Sequence, residues 1–100
     1  MTTDPLFHMI VDDVFFIAKR GTVVTGRVDT GSVKAGDSVM IRGKKGERNT
    51  VVTGIEAFRK VITEAQAGDN IGLLLKDVTK DQVQRGDELL GPGEDFTWKP

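Results

Sequence analysis

Few residues of this sequence are of types that carry chemistry, and they are scattered. His8 is the single histidine and cysteine is absent, which removes disulfides, thiolate metal sites and any cysteine nucleophile. Asp12-Asp13 is the adjacent acid pair of the first half. On a strand, neighbouring side chains point to opposite faces, so these carboxylates do not share a proton as a catalytic dyad does. No spacing suits zinc or calcium, and no Gly-x-x-x-x-Gly-Lys-Ser/Thr loop is present to cradle a phosphate. The expectation is a chain that is not an enzyme and uses neither cofactor nor metal. Lys44-Lys45, between two glycines, reads as a solvated hairpin tip or as an RNA contact. Arg59-Lys60 reads as the charged end of a strand.

The elements that would position such residues are strands. Helical periodicity is almost absent, and short runs rich in Val, Ile, Thr and Phe alternate with glycine turns. The first run covers 7–18. Lys19-Arg20-Gly21 turns it into a second run over 22–28, and the two form a hairpin. A third run, 38–42, alternates Val39 and Ile41 with polar neighbours. Gly43-Lys44-Lys45-Gly46 leads into a fourth over 48–58, where Gly54 marks a bend or bulge. A fifth spans 70–76, residues 79–83 form one helical turn, and a last short strand covers 88–90. Gly-Asp precedes a strand three times, at Gly36-Asp37, Gly68-Asp69 and Gly86-Asp87. Glycine takes a positive φ there and the aspartate bonds the backbone, so Arg85-Gly86-Asp87 is a turn rather than an adhesion signal. About six antiparallel strands with no helix to cover them hide their edges by closing. The predicted fold is all-β, a six-stranded closed Greek-key barrel over 1–92, followed by a tail over 93–100 whose Phe96 and Trp98 either pack back or stay exposed.

Bulk composition fits a small domain. One hundred residues, 38% hydrophobic and 29% charged, make one core without a deep cleft. The net charge is −1, so non-specific binding to duplex DNA is not expected. No stretch has the length of a membrane span and the first ten residues lack a basic secretory start; a cytoplasmic protein away from membranes is expected. The first hairpin is apolar on both faces, with Val14 and Phe16 on one and Phe15 and Ile17 on the other. Either both sides are packed in a small core, or one is covered by something else.

Three segments carry a resemblance. Arg20-Gly21-Thr22-Val23-Val24-Thr25-Gly26-Arg27-Val28, Val52-Thr53-Gly54-Ile55-Glu56-Ala57-Phe58-Arg59-Lys60 and Ala67-Gly68-Asp69-Asn70-Ile71-Gly72-Leu73-Leu74-Leu75 resemble the second domain of elongation factor Tu, and Arg85-Gly86-Asp87 with Leu89-Leu90 completes the likeness from about Ile10 to Pro92. The resemblance implies a barrel of the elongation-factor domain 2 type whose outer face holds the aminoacylated 3′ end of tRNA. Carried over by position, Phe15, Ile17, Val23, Thr25, Glu56 and Leu74 would form the pocket of the terminal adenosine, and Asp12, Asp13, Arg59 and Asn70 would lie near the esterified amino acid. Apolar walls stack a splayed base, and a carboxylate accepts from a ribose hydroxyl or adenine amine.

Two positions depart from the family pattern. Lys19 stands where a small residue, often glycine, is usual, and would obstruct the base or attract a phosphate. Phe16 replaces a small polar residue and would alter packing. The sequence holds neither the family's GTPase domain nor its third domain, and Met1 with the distinct tail suggests a naturally short protein. Two functions follow. One is a non-catalytic module, without GTPase activity, that binds the aminoacyl-tRNA acceptor end. The other is a protein-interaction module docking a translational GTPase, a ribosomal component or a second copy of itself. An enzyme reading requires a partner to supply the chemistry, and the oligomeric state is open.

Overall fold

Where Val and Ile alternate with polar residues, one face of the strand is buried. In β5 (Ser38–Gly43) Val39 and Ile41 are buried while Met40 is half-buried and Arg42 exposed. The computed structural model describes residues 6–92; the tail with Phe96 and Trp98 lies outside the described residues. The other strands are β1 (Phe7–Ile10), β2 (Asp13–Ile17), β3 (Gly21–Thr30), β4 (Ser32–Lys34), β6 (Gly46–Ala57), β7 (Lys60–Ile62), β8 (Glu64–Gln66), β9 (Asn70–Leu75) and β10 (Glu88–Gly91), with a 3₁₀ turn at Lys80–Gln82. No helix among them is long and apolar enough to cross a membrane.

Six of these strands close a ring. In order around the barrel they are β1, β10, β5, β6, β9 and β3, and β3 pairs back to β1, all antiparallel. Strands β5, β6 and β9 form a meander, and β3 returns beside β9, which is the Greek-key order. The core fills the ring. Val24, Leu73 and Ile55 lie side by side across β3, β9 and β6 with no exposed surface, and Met9 and Leu89 are equally buried.

The expected single strand over 7–18 is two strands. Its first part, β1, closes the barrel against the far half of β3, through His8 opposite Thr30 and Met9 opposite Val28. Its second part, β2, pairs with the near half of β3, from Asp13 opposite Thr25 to Ile17 opposite Gly21. Val11 and Asp12 form the step between them: the Val11 N–H donates to the Asp87 carbonyl and the Asp12 N–H to the Thr25 carbonyl. The chain crosses β3 at Gly26, where a Cβ would stand 2.4 Å from the Ile10 carbonyl oxygen. Only glycine admits that crossing. Three short strands also escaped the sequence pattern: β4 pairs with β8 outside the barrel sheet, and β7 folds back on the end of β6. The bend expected at Gly54 is present as a register shift between Val52 and Gly54.

The Gly-Asp signal is met three times with one geometry. Gly36, Gly68 and Gly86 have φ of +100°, +97° and +94°. In each turn the aspartate N–H donates to the carbonyl three residues back, in Lys34, Gln66 and Gln84, at 3.0 Å. Its carboxylate accepts from the N–H of that same residue at 2.8, 2.9 and 3.0 Å. Two reciprocal bonds close each turn, so sequence fixes the angle at which three chain segments turn back.

Polar side chains bind the closing strand to its neighbours. His8 of β1 lies 3.0 Å from Asp29 of β3 and 2.8 Å from Glu88 of β10, while Arg42 of β5 donates twice to Glu88, at 3.0 and 3.2 Å. The hydrogen bond from His8, then those from Arg42, hold the Glu88 carboxyl below its ordinary value of 4.5. A carboxyl with a lowered folded pKa contributes stability that is present above its unfolded value and is lost as pH falls through the folded one. The unfolding midpoint should therefore decline as pH drops below about 4.5, and Glu88→Gln should flatten that decline; thermal melts across the acid range measure both.

Candidate functional site

One face of the sheet formed by β2, β3, β9, β6 and β7 looks away from the core. Register assigns its side chains to rows. Asp13, Thr25, Gly72, Glu56 and Val61 make one row, from β2 to β7. Phe15, Val23, Leu74 and Gly54 make the next, and Ile17 faces Gly21 beyond it. On the other side of the first row, Arg27 faces Asn70. Seven of the ten residues expected at a tRNA end, namely Asp13, Phe15, Ile17, Val23, Thr25, Glu56 and Leu74, thus share these three rows, and Asn70 adjoins them. Asp12 sits at the step before β2 and Arg59 on the hairpin tip after β6.

The face has two parts of different chemistry. Around the missing side chain of Gly72 lies an open depression of about 340 Å³, lined by Asp12, Thr25, Glu56, Phe58 and Asn70 and floored by backbone at Gly26, Ile71 and Gly72. It offers two carboxylates, a hydroxyl and an amide, which accept and donate to the polar edge of a ligand. Beside it runs an apolar strip. Phe15 and Ile17 are 48% and 38% exposed, Leu74 is half-buried, and Val23 is only 6% exposed. Phe15 and Leu74 flank Val23 on either side, so Val23 supports the strip from below rather than presenting a wall. Of the ten expected residues, Asp12, Thr25, Glu56 and Asn70 line the depression, and Asp13, Phe15, Ile17, Val23, Arg59 and Leu74 do not.

Glu56 sits where the two parts meet and is already engaged. Arg20, from the hairpin turn, donates to its carboxylate at 2.6 Å. Arg20 follows Ile17 at one end of the apolar strip and Glu56 lies in the polar row, so the bridge spans from strip to depression. Both partners are partly exposed, and such a pair contributes on the order of 1 kcal/mol or less. A ligand that offers Glu56 a better donor can displace it at small cost. Sequence reasoning gave Arg20 no role, and nothing in its spacing announces one.

Two turns that carry this face are strained. Ala57 pairs with Lys60, leaving Phe58-Arg59 as a two-residue loop with φ of +53° and +65°. That is the backbone of a type I′ turn, which Asn-Gly usually supplies; neither Phe nor Arg signals it. The turn holds Phe58 out of the protein at 90% exposure, near Val61 at 76%. The β2–β3 hairpin closes through the Arg20 N–H on the Ile17 carbonyl at 2.9 Å, with Lys19 at φ +72°. The left-handed region favours glycine at that position.

A family model described as elongation factor Tu domain 2 matches residues 21–90, from the first residue of β3 into β10. The match includes Val23, Thr25, Glu56, Arg59, Asn70 and Leu74. Asp12, strand β2 with Asp13, Phe15, Phe16 and Ile17, and Lys19 all precede it. Relief of the strained turn is measurable: Lys19→Gly should raise stability by about 0.5–1 kcal/mol in urea unfolding, because glycine reaches a positive φ without a Cβ clash. An unchanged or lowered midpoint would mean that the lysine side chain contributes more than its backbone costs.

Proposed function

This chain belongs to the elongation factor Tu domain 2 family, and from that premise we propose that it is a translation-factor-like barrel module whose outer face binds the aminoacylated 3′ end of a tRNA. The observation that supports the reading is the junction of an apolar strip with a polar depression, bridged by Glu56. A splayed terminal base rests on Phe15, Ile17 and Leu74, the ribose hydroxyls reach Glu56, and the esterified amino acid lies toward Asp12, Asp13 and Asn70, with Arg59 at the rim. Each contact is of the kind single-stranded ends require, stacking on an apolar or aromatic surface and hydrogen bonds to exposed edges. No bond is made or broken by these groups, and hydrolysis of GTP is not part of the reading. Such a module works in the cytoplasm, where aminoacyl-tRNA is.

The depression is shallow and open on one side, so affinity is modest unless a second surface closes over the end. A second reading, docking to a translational GTPase or a ribosomal component, is favoured by Phe58 and Val61, which stand 90% and 76% exposed at the rim.

Titration with aminoacylated tRNA, deacylated tRNA and a CCA-ended oligonucleotide, at low and moderate salt, tests the first reading. Saturable binding with preference for the aminoacylated form is expected, weakened about tenfold or more by Glu56→Ala and by Arg59→Ala. Absence of binding at high protein concentration, or equal binding by both variants, contradicts it; a measured GTPase activity would contradict its non-catalytic character.

A further inference from the structure

Strand β2 ends its side of the sheet. Its pairing partner is β3 alone, and no backbone hydrogen bond joins its other edge to any described residue, although the 3₁₀ turn packs beside it. The hairpin closes on Ile17 opposite Gly21. Alternation along an antiparallel ladder then turns the amides of Asp13, Phe15 and Ile17 toward β3 and those of Val14 and Phe16 toward the open edge. Unpaired edges of this kind are normally blunted by charge or proline. Here the edge is apolar on both faces, with Phe16 at 61% exposure on the side opposite Phe15 and Ile17.

Charge at the two ends says what fits. Asp12 and Asp13 precede the apolar stretch and Lys19 follows it. Neither Asp13 nor Lys19 is ion-paired among the described residues, whereas Arg20 is held by Glu56. A strand that is acidic at one end and basic at the other is complementary to itself when reversed. We propose that two copies of this chain associate through their β2 edges, antiparallel about a two-fold axis at Phe16. That register sets Phe15 opposite Ile17 and Phe16 opposite Phe16 of the second copy, and brings Asp13 beside the hairpin turn that carries the second copy's Lys19. It satisfies the open amides of Phe16 and covers the side chain that the barrel leaves in solvent. Shifting the axis to Phe15 would set Asp13 against Ile17 and lose the charge pair, so charge selects the register. The joined sheets also extend the apolar strip from one copy into the other. The inference rests on the β2 edge and not on RNA binding, so its test contains no RNA.

Sedimentation velocity of the whole chain from about 10 µM to about 1 mM, at moderate salt, reads the association directly. A reversible monomer–dimer equilibrium is expected. Phe16→Lys, which sets two cations on the axis, should raise the dissociation constant on the order of tenfold or more. Asp13→Lys or Lys19→Asp alone should weaken association, and the two together should restore it toward the starting value. All three positions are exposed, and circular dichroism melts check that each variant is folded. A chain that stays monomeric to about 1 mM, dimers that persist in Phe16→Lys, or a double variant no better than the singles each overturns the proposal.

Discussion

The structure depends on how the edge of β3 is divided. A sheet with no covering helix must close, and β3 has to serve two partners along one edge to allow it. Its far half takes β1 and completes the ring; its near half takes β2 and carries the hairpin out of the ring. The exchange happens at Gly26, with no room for a side chain against the Ile10 carbonyl. Core, outer face and open edge all follow from that division. Had the first run stayed one strand along β3, β1 could not have reached β10, and the ring would have remained a curled sheet with two edges.

Carrying β2 out of the ring has a consequence for chemistry. Behind the ring, each strand has one face on the core. Beyond it, β2 has Phe15 and Ile17 on one side and Phe16 on the other, all in solvent. The outer side joins the apolar strip and then the polar depression around Gly72. The depression exists because β9 lacks a side chain between Thr25 and Glu56. Ordinary sheet geometry brings Asp13 and Glu56, forty-three positions apart, into one row. Among the described residues, left-handed backbone at non-glycine positions falls at Lys19, Phe58 and Arg59 in the two turns flanking this surface, and at Asp77 after β9. Left-handed backbone costs a non-glycine residue on the order of 1 kcal/mol.

Much of the fold was legible in the sequence, for physical reasons that can be named. Val39 and Ile41 alternate over a half-buried strand, so period two identified β5. Gly54 marked a real register shift, and the three Gly-Asp pairs marked three turns closed in the same way, because glycine and aspartate are the residue types those angles and bonds require. The division of 7–18 was hidden: Val11-Asp12 has neither glycine nor proline, and the step is set by long-range bonds to Asp87 and Thr25. Strands β4, β7 and β8 have three residues each, too few to show a period. The Phe58-Arg59 turn escaped because its residues contradict its backbone. At the site, the resemblance named residues that the register does collect on one face. Burial of Val23, the bridge from Arg20 to Glu56 and the exposure of Phe58 depend on tertiary contacts that no local pattern encodes.

Amide chemical-shift mapping during titration of the chain with an aminoacylated CCA-ended acceptor tests the central claim most directly, since it reports which face is touched. Binding on the proposed surface shifts the amides of Thr25, Glu56, Asn70 and Gly72 together, while those of β5 and β10, on the far wall of the barrel, stay in place. Shifts confined to β5 and β10, or none at saturating acceptor, would contradict it.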